Sequence, residues 1–99
     1  MAESKSHTTT ANRIAKKLGG EYNPAEGPDI VTPGAVVEVE TVDTVKDALR
    51  QLRGFTKDVF VAGTNKDAVQ KALEATEGTT VGVMDNRGNV VKPSTRKKR

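Results

Sequence analysis

Apolar residues recur with a helical period in three stretches of the chain. In the first, between a run of threonines at 8–10 and a glycine pair at 19–20, they are Ala11, Ile14, Ala15 and Leu18. The second, between Thr44 and Gly54, has Val45, Ala48, Leu49 and Leu52, and the third, between Asn65 and Gly78, has Ala68, Val69, Ala72 and Leu73. The i, i+3, i+4, i+7 spacing, with capping hydroxyls or amides before it and glycine after it, predicts three amphipathic helices.

Shorter apolar runs between these helices predict strands, at residues 21–22, 29–32, 35–41, 59–63, 79–85 and 89–91. The element order is therefore α-β-β-β-α-β followed by α-β-β. A strand, a helix and a second strand between residues 35 and 63 form a βαβ unit, whose two strands should be parallel. We expect an α/β fold in which helices flank a mixed sheet. The domain is predicted to span residues 8–91, between a flexible N-terminus at 1–7 and a basic, disordered tail at 92–99.

The hairpin GPDIVTPGAVVEVET, residues 27–41, gathers acidic residues. If Pro33-Gly34 is the central pair of its turn, facing residues have numbers that sum to 67, which pairs Ile30 with Val37, Val31 with Val36 and Asp29 with Glu38. Strand alternation puts Glu40 on the same face as Asp29 and Glu38, and puts Val37 and Val39 on the opposite, apolar face.

Like charges that face each other in a sheet cost up to about 1 kcal/mol, so three clustered carboxylates need compensation. A basic side chain, a shared proton or a divalent cation such as Mg²⁺ would supply it. A metal held in this way suits phosphodiester hydrolysis, because it polarises the phosphate and lowers the pKa of a bound water. The alternative is an ordinary solvated strand face, since VEVE is also a simple polar/apolar alternation.

The composition indicates the cellular compartment and excludes some kinds of site. The 99 residues contain no cysteine, which excludes disulfides and thiolate metal sites. No apolar run approaches the ~20 residues of a membrane span, and the first residues lack the apolar core of a secretory signal, so a cytoplasmic protein is expected. The net charge of +3 arises in the tail, because residues 92–99 hold five of the sixteen basic residues and no acid.

Pro28-Asp29, the short hairpin and Glu38-Val39-Glu40 together resemble the PD-(D/E)XK nuclease superfamily, including its restriction-endonuclease-like and archaeal Holliday-junction-resolvase-like members. The resemblance covers residues 8–63 in element order. It implies a restriction-endonuclease-like core and Mg²⁺- or Mn²⁺-dependent hydrolysis of DNA. It also implies that Asp29, Glu38 and the Val39 carbonyl bind the metal.

Glu40 departs from that pattern, because it stands where the family usually has lysine. It would then act as a third catalytic carboxylate, by holding a second metal or by serving as a general base. Gln51 resembles a supporting polar residue of some members. Lys46, Arg50 and Arg53 lie on the same helix, from which a basic side chain could replace the missing lysine. The first helix lacks the glutamate that many relatives use to support the metal.

The basic residues suggest how DNA, including branched or damaged DNA, would be held. The candidates for phosphate contact are Arg13, Lys16 and Lys17 on the first helix, Lys46 and Arg50 on the second, and Arg96, Lys97, Lys98 and Arg99 in the tail. Such contacts position a nucleic acid without reading its sequence, so specificity would come from DNA structure, from a homodimer or from a partner protein. The alternative function is an inactive nuclease-like module that binds nucleic acid or a protein. His7, alone near a chain end, is not expected to be catalytic.

Overall fold

The computed structural model describes the backbone of residues 5–23 and 28–96, and side chains from residue 7 onward. This part of the chain forms three helices and five strands. They are α1 (Lys5–Leu18), β1 (Ile30–Val31), β2 (Ala35–Glu40), α2 (Val45–Gln51), β3 (Asp58–Gly63), α3 (Lys66–Ala75), β4 (Gly82–Met84) and β5 (Val90–Lys92).

The strands form one mixed sheet in the order β1-β2-β3-β4-β5. The central pairs β2–β3 and β3–β4 are parallel, and the outer pairs β1–β2 and β4–β5 are antiparallel. The α/β class and the parallel βαβ unit are therefore confirmed. The strand predicted at residues 21–22 is reduced to one antiparallel bridge between Tyr22 and Ile30, because β1 offers only two residues for pairing.

The sheet has a hydrophobic layer on each face. Alternate residues of β2 serve opposite layers, because successive side chains of a strand point to opposite faces. On one face Ala11, Ile14 and Ala15 of α1 cover Ile30, Val37, Val39, Phe60, Ala62 and Met84. On the other face α2 and α3 cover Val36, Val59, Val61, Val81 and Val83. This arrangement leaves the carboxyl ends of the parallel strands at one edge of the sheet.

The ends of the helices follow local chemistry. Asn65 caps α3, since its side chain accepts a hydrogen bond from the Ala68 amide at 2.8 Å, as predicted. The helix α1 begins earlier than the threonine run suggested, at Lys5, so that Thr10 lies inside it and is buried. In the part of the chain that the structure describes, no helix is long and apolar enough to cross a membrane.

Helix and strand residues extend beyond both predicted boundaries of the domain. Residue 7 belongs to α1. Lys92 is the last residue of β5, and its ammonium group donates to the Thr76 carbonyl at 2.6 Å. Arg96 donates to the Leu52 carbonyl at 2.6 Å and to the Phe55 carbonyl at 3.2 Å, so its guanidinium group contacts backbone carbonyls at the end of α2.

Candidate metal centre

The β1–β2 hairpin has the register that the sequence predicted. Ile30 faces Val37 and Val31 faces Val36. The turn closes with a hydrogen bond of 2.8 Å from the Thr32 amide to the Ala35 carbonyl. This register puts Asp29 next to Glu38, one step beyond the last paired residues.

Before Ile30 in the chain, hydrogen bonds to two carboxylates replace the backbone pairing of the two strands. The Asp29 amide donates to Glu38 Oε1 at 2.7 Å, and the Val39 amide donates to Asp29 Oδ2 at 2.8 Å. Hydrogen bonds from backbone amides to carboxylates are charge-assisted and favour the ionised form. The two acids therefore lock the start of β1 to the middle of β2, and both are buried.

Glu40 completes the cluster at the carboxyl end of β2, where only 6% of its surface is exposed. One carboxylate oxygen from each of Asp29, Glu38 and Glu40 lies within 4.8 Å of the others, a group that could hold a metal ion. An octahedral Mg²⁺ ion with ligands at about 2.0–2.1 Å holds neighbouring oxygens about 2.9 Å apart and opposite ones about 4.2 Å apart. Only small side-chain movements would bring the three oxygens to such a cation.

The surroundings of Glu40 shift the pKa of its carboxyl group. Its pKa is raised from the ordinary 4.5 to about 7, chiefly by burial, with a smaller contribution from the charges of Asp29 and Asp47. A hydrogen bond with the Thr44 side chain and the nearby His7 act in the opposite direction. Near neutral pH this carboxyl group is therefore divided between its protonated and ionised forms, and a cation would favour the ionised form.

Sequence reasoning missed His7, which contacts the cluster, and Tyr22, which contacts His7. His7 Nε2 lies 3.3 Å from Asp29 Oδ2, and His7 Nδ1 lies 3.4 Å from the Tyr22 hydroxyl. One signal was available. His7 precedes Ala11 by four residues, so it continues the buried face of α1 by one turn.

The other residues proposed to support catalysis lie elsewhere. The helix α2 follows β2, starts near the cluster and runs away from it. Arg50 and Gln51 are therefore at its far end, Arg53 lies two residues beyond it, and all three are exposed. Arg50 lies 3.8 Å from Asp47, its neighbour on the same helix. Lys46 is in the first turn of α2 and is exposed. The support of the site by Gln51, or by a basic side chain of this helix, stays a prediction.

The amide and the side chain of Val39 both have structural roles, and the binding of a metal by its carbonyl stays a prediction. Its amide holds Asp29, as described above, and its side chain is fully buried in the layer under α1. The alternation of β2 thus separates Val39 from Glu38 and Glu40 on its two sides.

The basic residues proposed for phosphate contact have different surroundings. Two of them hold the β4–β5 turn, because Arg13 donates to the Asn86 carbonyl at 3.2 Å and Lys17 donates to Asn89 Oδ1 at 2.7 Å. Lys16 is exposed beside them. Arg96 is anchored at the end of α2, and Lys97, Lys98 and Arg99 lie outside the described residues.

A cavity of about 540 Å³ lies on the same edge of the sheet as the cluster. The Thr64 amide donates to the Glu40 carbonyl at 3.1 Å, and the cavity begins at the next residue. Its lining is polar apart from Val69: Asn65, Lys66, Asp67, Gln70, Asp85 and Asn86. Sites of α/β proteins commonly form at the carboxyl ends of parallel strands, which is where the cluster and the cavity both lie.

Comparison of the chain with protein-family models, with curated proteins and with solved structures finds no match.

Proposed function

We propose that this protein is a small metal-dependent nuclease that hydrolyses phosphodiester bonds of DNA with Mg²⁺ or Mn²⁺. The observation that carries the proposal is the convergence of Asp29, Glu38 and Glu40 within 4.8 Å, in a largely buried position near the carboxyl ends of the parallel strands of a mixed sheet. With no neutralising ion, burial beside the other acids keeps the Glu40 carboxyl group from ionising fully near neutral pH.

Each acid has a separate role in the proposed reaction. Asp29 and Glu38 are held by backbone amides in fixed orientations, which suits them to hold the cation. A bound Mg²⁺ would supply charge stabilisation at the phosphate and acidify a water. Glu40, with its pKa near 7, accepts the proton of the attacking water as that water's oxygen bonds to phosphorus and the P–O bond to the leaving group breaks.

The resemblance to the PD-(D/E)XK superfamily supports this assignment in its element order and its motif. A helix, an antiparallel hairpin, a second helix and a parallel strand occur in that order, and the acids lie at the expected places on the hairpin. The strand expected before β1 is reduced to a single bridge between Tyr22 and Ile30, and Glu40 stands where the family usually has lysine. We infer that the core is a shortened restriction-endonuclease-like one.

A second function is favoured by the basic residues of α2. Arg50, in the last turn of that helix, and Arg53, two residues beyond its end, are exposed, and Arg50 lies 3.8 Å from Asp47. In this alternative the chain is an inactive nuclease-like module, which binds nucleic acid or a protein partner. Metal binding without cleavage would distinguish it from the proposed enzyme.

The test uses two variants that keep the backbone hydrogen bonds. In Asp29→Asn and Glu38→Gln an amide oxygen still accepts from the Val39 or Asp29 amide, while the charge is lost. Mg²⁺ and Mn²⁺ are titrated and followed by the backbone amide signals of residues 29 and 38–40. Asp67→Asn, an exposed change on α3, is the control.

We expect the wild type and the control to respond at millimolar metal or below, and both amide variants to lose the response. The wild type should also cleave branched, nicked or linear DNA in a metal-dependent way. An absence of any response in the wild type would refute the metal centre. A metal response without cleavage of any of these substrates would refute the enzyme and support the binding module.

A further inference from the structure

We infer that His7 is a positioning residue, which holds Asp29 in the orientation that binds the cation, with its own ring fixed by Tyr22. The inference deepens the proposed function and rests on its metal centre. It assigns His7, in the first turn of α1, and Tyr22, two residues after the glycine pair, to the site, although the sequence pattern gave neither residue a role there.

The three side chains form a continuous chain of contacts. Asp29 Oδ2 lies 3.3 Å from His7 Nε2, and the Tyr22 hydroxyl lies 3.4 Å from His7 Nδ1. The two rings are tilted by 56° with their centroids 6.0 Å apart, so they also pack on each other. The side chains of His7 and Asp29 are 14% and 12% exposed, which largely shields the contact from water.

Hydrogen-bonding capacity fixes the direction of each contact. An ionised carboxylate only accepts, so the bond between His7 and Asp29 requires a proton on Nε2. In the neutral ring, Nδ1 is then the acceptor, and the Tyr22 hydroxyl donates to it. Tyr22 thereby favours the tautomer that points its donor at Asp29.

The consequence for Asp29 is a second donor on the same oxygen. Oδ2 accepts from the Val39 amide at 2.8 Å and from His7, which come from different elements of the fold. Two donors on one oxygen fix the plane of the carboxylate. Partners that orient a ligand in this way are typically worth about 10–100-fold in metal affinity.

The contact also joins the first turn of α1 to the hairpin. The His7 side chain bridges the helix to Asp29, the residue before β1. His7 therefore couples the amino-terminal turn of the chain to the geometry of the carboxylate cluster.

The experiment compares Mg²⁺ affinity at pH 8 in four variants. His7→Leu removes both contacts, His7→Gln keeps an N–H donor at the level of Nε2, and Tyr22→Phe removes only the hydroxyl. Thr9→Leu, an exposed change on α1, is the control. We expect about a 10–100-fold loss for His7→Leu, recovery of most of the affinity in His7→Gln, a smaller loss for Tyr22→Phe and no change in the control.

Stability and ring protonation are measured on the same samples. A midpoint of unfolding in His7→Leu close to that of His7→Gln would show that the loss of affinity is not a loss of fold. A long-range ¹H–¹⁵N spectrum of the His7 ring should show the Nε2–H tautomer before and after Mg²⁺ is added. Loss of the Nε2 proton on addition of Mg²⁺ would make His7 a direct ligand and would overturn the positioning role, as would unchanged affinity in His7→Leu.

Failure of the proposed function is distinguishable from failure of this inference. If the wild type binds Mg²⁺ but cleaves no DNA, the nuclease is refuted, and the affinity series still tests His7. If the wild type binds no Mg²⁺, the metal centre is refuted, and the ring spectrum and the Val39 amide signal in His7→Leu still test the contact. An Nδ1–H tautomer in the wild type would overturn the inference in either case.

Discussion

Replacing Glu40 by glutamine should change how the stability of the protein depends on pH. The folded protein raises the pKa of this carboxyl group from 4.5 to about 7, chiefly by burying it. A raised pKa means that the folded state binds the proton more tightly than the unfolded state does. The stabilisation is therefore complete below pH 4.5, declines as pH rises and is lost above about pH 7.

The expected size follows from these two values. A shift of one pKa unit corresponds to about 1.4 kcal/mol, so the full contribution is about 3 kcal/mol. Between pH 5 and pH 8 the linkage relation gives a loss of about 2.5 kcal/mol in the free energy of unfolding. Since glutamine does not ionise, Glu40→Gln should lack this loss. The stability of the wild type relative to the variant should fall by that amount over the interval.

Urea denaturation at pH 5, 6, 7 and 8 in the presence of a chelator measures the difference. All other titrating groups are shared by the two proteins, so they cancel in it to first order. Glu77→Gln, a change at an exposed glutamate, is the control and should give no comparable trend. A difference between the wild type and Glu40→Gln that is constant from pH 5 to pH 8 would refute the claim that burial destabilises the ionised form of Glu40.

Two packing predictions test the framework around the site. Gly63→Ala should destabilise the fold by roughly 1–3 kcal/mol, because an added Cβ would lie 2.5 Å from the Val69 amide nitrogen; Gly34→Ala, whose Cβ would meet nothing within 4 Å, is the matched control. Arg96→Ala should cost about 1–3 kcal/mol in thermal or urea unfolding, because buried carbonyls lose their donor. Arg53→Ala, at an exposed position, should cost much less, and equal losses for the two arginines would contradict the anchoring role.

The hairpin could be predicted from the sequence because two local rules fix it. A Pro-Gly turn sets the sum of facing residue numbers, and the period of two then assigns each side chain to a face. Both Ile30↔Val37 and the proximity of Asp29, Glu38 and Glu40 follow from this. The two rules do not give burial, because Val31 faces the fully buried Val36 and is nevertheless 48% exposed on the edge strand.

The contacts of His7 and Arg96 could not be predicted in the same way, because both depend on distant parts of the chain. Arg96 was assigned to a solvated tail from its basic neighbours. Its partners are the carbonyls of Leu52 and Phe55, more than forty residues earlier, at the end of a helix where carbonyls lack intrahelical donors. His7 likewise acquires its partners only when α1 packs across the start of β1.

The glutamate at position 40 makes a bound cation and a proton competitors for the same cluster. A lysine there would neutralise one of the two remaining carboxylates at every physiological pH, and the site would keep a nearly constant charge. With Glu40, the charge of the empty cluster depends on pH, because burial holds the pKa of that carboxyl near 7. Binding of Mg²⁺ below that pH must displace the proton, so affinity should rise with pH and level off above about 7. A site of this kind would be loaded fully only where the carboxylates are ionised, which is also the condition under which Glu40 can accept a proton from water.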